Sequence, residues 1–145
     1  MAIMFSNEDF RGRVDESLSA EVAWNIGKAF ADWLPEEGAV AVVEAAGAHR
    51  PTTHAVIEGL LLQGRDVVAH SGGDQTVVAN TVADGKAVGG VFVSHNDLQN
   101  IEIIALYDGQ GIIVTSDRGL GEISAMVEAG NFVPAVEKGA TSTLS

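Results

Sequence analysis

The sequence contains no cysteine and few basic residues. The absence of cysteine excludes disulfides, thiolate catalysis and cysteine-ligated metal sites. The sequence has 8 Lys and Arg residues and 20 Asp and Glu residues, so its formal net charge at pH 7 is −12. A surface this acidic repels phosphate backbones, and no cluster of Lys and Arg offsets it. We therefore expect no nucleic-acid partner.

Long hydrophobic runs are also missing. No run reaches the roughly 20 apolar residues of a membrane-spanning helix, and the first residues lack an apolar segment of signal-peptide length. We therefore expect no membrane association and a cytoplasmic location. The 145 residues suit one ordinary domain, and a hydrophobic content of 46% is enough for a core.

The hydrophobic pattern alternates between short apolar runs and helical periodicity. Apolar runs at 39–43, 66–69, 88–93 and 101–107 predict four strands. Helical spacing predicts a first helix capped by Ser19, a second capped by Thr52 or Thr53, a third capped by Asp74, and a last one that ends at Gly130. Residues 112–115 are expected to return as a hairpin arm.

This order of elements predicts the fold class. Strands separated by helices pair in parallel, whereas the short loop before 101–107 makes that strand antiparallel to its neighbour. We predict an α/β domain with three layers, α/β/α, and a mixed sheet of about four strands, the last of them antiparallel. The domain is expected to span 1–130, and 131–145 to be a tail or a truncated linker.

Ser94 directly follows the apolar run at 88–93, where a buried strand leaves its sheet. Ligands of open α/β sheets bind at the carboxyl ends of the strands, so this hydroxyl is a candidate nucleophile or phosphate carrier. The alternative is a serine that caps a turn with its own backbone. A Ser94–His95 hydrolase pair is not expected, because no Gly-x-Ser-x-Gly elbow is present and neighbouring side chains diverge.

The segment Phe92-Val93-Ser94-His95-Asn96-Asp97 resembles the Thr-Ala-Ser-His-Asn-Pro motif of the α-D-phosphohexomutases, the phosphoglucomutase and phosphomannomutase relatives. Three further stretches are similar to the first α/β/α domain of that family. They are Arg11-Gly12, Leu18-Ser19-Ala20-Glu21 and the region from Glu58-Gly59 to Val67-Val68. The resemblance runs from about residue 5 to residue 127.

The resemblance implies roles for individual residues. Ser94 would carry the phosphoryl group, and His95 would be an acid/base or a loop-orienting group. Asn96 would fix the loop, and Arg11 and Arg50 would contact substrate phosphate. The family uses Mg²⁺, which Ser94 would help ligate only when phosphorylated and joined by a partner domain, so we expect no Mg²⁺ bound to this chain alone. A hexose phosphate is the implied ligand.

The chain departs from the family pattern where positive charge is needed. The lysine that follows the motif is absent, because 101–104 offers only apolar residues and Glu102. Asp97 replaces the motif proline, and of the arginine loop after the first strand only Arg50 is left. The family places its metal loop and its sugar-binding loops in later domains.

Two hypotheses follow from this mixture. In the first, the chain is the N-terminal domain of a phosphohexomutase, related to intramolecular phosphoryl transfer on hexose phosphates and inactive alone. In the second, it is a stand-alone, non-catalytic domain that binds a protein partner or a small phosphate ligand. Because a single domain of a multidomain family exposes faces that are normally covered, self-association or association with other domains is also expected.

Overall fold

The computed structural model describes residues 8–14 and 16–143, which form one mixed sheet flanked by helices. The strands are β1 (Phe10–Gly12), β2 (Val40–Glu44), β3 (Val67–Ser71), β4 (Gly90–Asn96), β5 (Ile101–Tyr107) and β6 (Thr141–Thr143). The helices are α1 (Ala20–Trp33), α2 (Arg50–Leu62), α3 (Gln75–Ala83) and α4 (Leu120–Ala129), with one 3₁₀ turn at Ser116–Arg118.

The strands are arranged in the order β1-β5-β4-β2-β3-β6. β2 pairs in parallel with β3 and with β4, and β5 runs antiparallel to β4, as predicted. The predicted sheet of about four strands was too small, because the sheet has six. The two strands that were missed, β1 and β6, are each three residues long, too short to show a period of two.

The stretch 131–145 contributes β6, so its described part is more than a tail. β6 pairs in parallel with β3, beyond the four strands that were predicted. The hairpin arm expected at 112–115 is reduced to one isolated bridge between Tyr107 and Ile113.

Helices cover both faces of the sheet and give the predicted three layers. The front face packs against α1, α2 and α4, through a core that includes Phe30, Leu60 and Ile123. The back face packs against α3, where Val78 joins Val43 and other residues in a smaller cluster. Because successive strand residues point to opposite faces, the parity of a residue in its strand decides which face it serves.

The helix ends follow local chemistry. Ser19 Oγ accepts a hydrogen bond from the Val22 N–H at 3.2 Å, and Asp74 Oδ1 accepts one from the Thr76 N–H at 3.0 Å, as the cap predictions require. Gly130 ends α4 with a φ of 67°. The prediction for α2 was wrong: α2 begins at Arg50, so Thr52 and Thr53 are buried in its first turn.

α2 is held close to α1 by two glycines. A Cβ on Gly27 would collide with the Val56 carbonyl oxygen, and one on Gly59 would collide with the Trp24 carbonyl oxygen. The two backbones therefore approach more closely than side chains would permit. This contact holds the middle of α2 against α1.

Candidate functional site

The candidate site lies at the edge of the sheet where the parallel strands β2, β3 and β4 end. Ser94 is opposite Ile103 on β5, and Ile103 is opposite Arg11 on β1. Residues directly opposite each other on antiparallel strands point to the same face. Arg11, Ile103 and Ser94 therefore form one row on the back of the sheet, which we call the back row. Ser94 is half-buried, and within the described residues its hydroxyl has no side-chain hydrogen bond.

Arg11 is the cation of the back row. Its Nε and Nη2 donate to the two carboxylate oxygens of Asp9 at 2.8 and 2.9 Å. The hydrogen bonds from the guanidinium to Asp9 raise the pKa of Arg11, so its charge is secure. Since neighbouring strands lie about 4.8 Å apart, the Arg11 backbone is about 10 Å from Ser94. The fold thus brings Arg11 to the face of Ser94, with a carboxylate already attached.

His95 points to the front, away from Ser94, because the two are successive strand residues. On the front it meets Glu102, its direct partner across β4 and β5. His95 Nδ1 lies 2.8 Å from Glu102 Oε1, and the His49 N–H donates to Glu102 Oε2 at 2.7 Å. Glu102 is fully buried. The ring of His95 is thereby fixed through Nδ1, an arrangement that orients the loop and does not reach the Ser94 hydroxyl.

Asn96 fixes the turn that follows Ser94. Its Oδ1 accepts a hydrogen bond from the Gln99 N–H at 3.2 Å. The same turn ends in Asn100, which takes a left-handed φ of 55°, a conformation that asparagine tolerates better than most residues. By alternation Asn96 belongs to the same face as Ser94. Its contacts are those expected of a loop-fixing group.

Arg50 is not brought to Ser94. It lies at the start of α2, on the front, where its Nη2 is 3.3 Å from Glu44 Oε1. Its side chain is 66% exposed, whereas Glu44 is buried at the end of β2. Of the two arginines proposed as phosphate contacts, only Arg11 shares a face with the serine.

Sequence reasoning missed the two buried carboxylates of the front, Glu44 and Glu102. Each is a single acidic residue in an otherwise apolar strand, and each occupies a front-facing position by parity. That signal was available, because a charge at an inward position must find a partner. Their partners could not be read from the sequence: Glu102 binds His49, which lies 53 positions away.

The metal expectation concerns this same edge. Among residues 8–14 and 16–143, no group of three or more His, Asp or Glu side chains could hold a metal ion. In the same part of the chain, no helix is long and apolar enough to cross a membrane.

The fold, together with Ser94 at the carboxyl edge of the sheet, identifies a family of proteins. Residues 2–133 match the family profile "Phosphoglucomutase/phosphomannomutase, alpha/beta/alpha domain I". The chain belongs to this family, and the resemblance inferred from the Ser94-His95-Asn96 motif is confirmed.

Individual relatives agree with the family. A phosphomannomutase from Salmonella typhimurium is 28% identical over 143 residues, which are 92% of this chain and 29% of that protein. A Pyrococcus horikoshii protein assigned as a phosphoglucosamine mutase is 30% identical, over 99% of this chain and 32% of its own length. A solved structure from Thermus thermophilus, assigned as a phosphomannomutase, superposes with a TM-score of 0.79 at 22% identity and covers 100% of this chain and 33% of that one. The chain thus spans about a third of the length of its relatives.

Proposed function

We propose that this chain is the phosphate-carrying domain of a phosphohexomutase. In this proposal the Ser94 hydroxyl accepts a phosphoryl group from a hexose bisphosphate and returns it to a hexose monophosphate. The observation that carries the proposal is the back row. There the Ser94 hydroxyl, near the carboxyl end of β4, has no hydrogen-bond partner among the described residues and shares a face with the charged guanidinium of Arg11.

The chemistry assigned to each group follows from its position. In the transfer, the bond from phosphorus to the sugar oxygen breaks as the bond to Ser94 Oγ forms, and the serine proton passes to the departing sugar oxygen. Charge on the equatorial phosphoryl oxygens must be stabilised by nearby cations. Arg11 is suited to that role, because it presents a planar array of donors. His95, held by Glu102, orients the loop that carries Ser94 and Asn96.

The same geometry supports inactivity of the isolated chain. The position opposite Ser94 is occupied by Ile103, which supplies no charge. Arg50 is engaged with Glu44 on the other face, and Arg11 is engaged with Asp9. A phosphoryl group on Ser94 would therefore share its face with one cation, Arg11, whose charge Asp9 already balances. The net charge of the protein, −12, would also repel it.

An intact-mass experiment tests this proposal. The chain is mixed with an equimolar hexose bisphosphate and magnesium, and the mass is followed over time beside Ser94→Ala. We expect slow, partial gain of one phosphoryl group by the unaltered chain and none by Ser94→Ala. Fast quantitative phosphorylation would contradict the inactivity. Equal labelling of both proteins would contradict the assignment of Ser94.

One observation favours the second function, a non-catalytic binding domain. Leu98 stands at the tip of the turn after Ser94 and is 99% exposed. A large apolar side chain in that position is suited to contact a protein, either another domain or a second copy. Sedimentation over a range of concentrations, with Leu98→Ser as the variant, tests this function. Association that Leu98→Ser abolishes supports it, and a strict monomer at high concentration contradicts self-association.

A further inference from the structure

A cavity of about 250 Å³ opens on the front of the sheet, on the face opposite Ser94. It lies where β2, β3 and β6 meet the first turns of α2. Its apolar lining is Val42, Ile57 and Ala69, and the other residues that line it are Glu44, Arg50, Thr53, His54, His70, Ser71, Thr141 and Thr143.

Two buried polar atoms of this lining have no hydrogen-bond partner among the described residues. They are Glu44 Oε2 and Thr53 Oγ1. Glu44 is 6% exposed and Thr53 is 5% exposed. Buried polar groups are almost always satisfied, and leaving one unsatisfied is costly. Because both atoms belong to residues that line one cavity, they point to a ligand that is polar itself.

The arrangement of Glu44 defines what that molecule must offer. Its other oxygen, Oε1, accepts a hydrogen bond from the Ser71 hydroxyl at 3.2 Å and lies 3.3 Å from Arg50 Nη2. The free oxygen Oε2 can only accept, so the ligand must donate to it. The Thr53 hydroxyl can donate or accept, as can those of Thr141 and Thr143 on the cavity wall.

The charges around the cavity narrow the class of ligand further. Arg50 already balances Glu44, so the cavity offers little net charge to bind an ion, and the overall charge of −12 disfavours anions. Hydroxyl groups donate and accept at once, and the C–H face of a polyol suits the apolar side of the cavity. We propose that this cavity binds a neutral polyhydroxylated small molecule, a monosaccharide or a polyol.

The size of the cavity agrees with one such molecule. At about 30 Å³ for each water of the liquid, the volume equals roughly eight waters, which is the scale of a monosaccharide. A ligand with so few atoms binds weakly, and we expect a Kd on the order of 1–10 mM.

Two adjacent threonines provide a matched pair of variants. Thr53 lines the cavity and its hydroxyl has no partner among the described residues, whereas the Thr52 hydroxyl is 3.0 Å from His49 Nδ1. Thr53→Val removes an unsatisfied group, so it should raise the Tm of the unliganded protein by about 2–4 °C and weaken sugar binding about fivefold or more. Thr52→Val removes a satisfied group, so it should lower the Tm and leave sugar binding unchanged.

The probe is D-mannose, titrated into the ¹⁵N-labelled chain and followed by amide chemical shifts, with inorganic phosphate titrated in parallel. Saturable shifts confined to the first turn of α2 and the ends of β2 and β3, lost in Thr53→Val and kept in Thr52→Val, support the proposal. Shifts there with phosphate alone, no shifts with mannose, or equal binding by both variants would overturn it. Ser94→Ala should bind mannose unchanged, so failure here is distinct from failure of the phosphate-carrier proposal.

Discussion

The two faces of the sheet differ most at its carboxyl edge. On the front, Glu102 is fully buried and both of its carboxylate oxygens are engaged, one by His95 and the other by the His49 N–H. On the back, Ser94 is half-buried beside Ile103 and in one row with Arg11, and its hydroxyl has no hydrogen-bond partner in the part of the chain that the structure describes. On the front, the hydrogen bonds of Glu102 with His95 and His49, which we call the front network, hold the loop. The back presents Ser94, the residue that we propose as the phosphate carrier.

The largest expected effect comes from breaking the front network. Glu102→Leu leaves the partly buried His95 Nδ1 and His49 N–H without their partner, so the free energy of unfolding should fall by about 3 kcal/mol. Urea denaturation measures this change. Glu102→Gln, which keeps one acceptor, should lose less. Two variants of equal stability to the original chain would show that the network does not hold the edge.

A second variant forces apart the two front helices α1 and α2. Gly59→Ala places a Cβ against the Trp24 carbonyl oxygen, which forces α2 away from α1, and we expect a loss of about 2 kcal/mol. Gly121→Ala is the matched control: Gly121 lies in α4, its added Cβ would be 3.7 Å from the nearest atom, and the change should be neutral or stabilising by about 0.5 kcal/mol. Thermal unfolding that ranks the two variants in the reverse order would contradict this account of the helix pair.

Mutation of Ser94 in the back row should change stability little, unlike mutation of Glu102 on the front. Because the Ser94 hydroxyl makes no side-chain hydrogen bond within the described residues, Ser94→Ala should change the free energy of unfolding by less than about 0.5 kcal/mol. The same urea titration measures it. A loss as large as that of Glu102→Leu would mean that Ser94 is part of the structural network and not an open group.

The smallest effect concerns α3, the helix of the back. Hydrogen bonds from the Thr76 side chain and N–H lower the pKa of Asp74, its N-cap. A carboxylate with a lowered pKa stabilises the fold above its unfolded pKa of about 3.9, and this contribution is lost as the pH falls through the folded pKa. Asp74→Asn keeps a capping oxygen that does not titrate. The stability advantage of the original chain over Asp74→Asn should be present at pH 7 and vanish on acidification, whereas a constant difference would contradict the charge effect.

The sequence predicted the features that rest on local chemistry. The Ser19 and Asp74 caps follow from a few neighbouring residues, and the parallel strands follow from the order of the elements. The predicted end of the strand before Ser94 was wrong, because β4 continues to Asn96 and Ser94 lies within it. Prediction from the sequence failed where contacts between distant parts of the chain determine the structure. β6 forms only because residues 141–143 find the free edge of β3, and the start of α2 is displaced to Arg50, with His49 bonded to Glu102. The cavity beside Thr53 joins three strands and a helix, which no local pattern reports.

The most direct measurement restores the missing charge to the back row. Ile103→Lys places an ammonium directly opposite Ser94, and Ile101→Lys, two residues earlier on the same face of β5 and opposite Asn96, is the control. Each variant is incubated with a hexose bisphosphate and magnesium, and the phosphorylated peptide is mapped. We predict that Ile103→Lys phosphorylates Ser94 at least about tenfold faster than the unaltered chain, since one well-placed charge is worth that much or more in phosphoryl transfer, while Ile101→Lys gains less. No acceleration in Ile103→Lys, or a phosphoryl group found on another residue, would contradict the assignment of Ser94 as a phosphate carrier that lacks its cation.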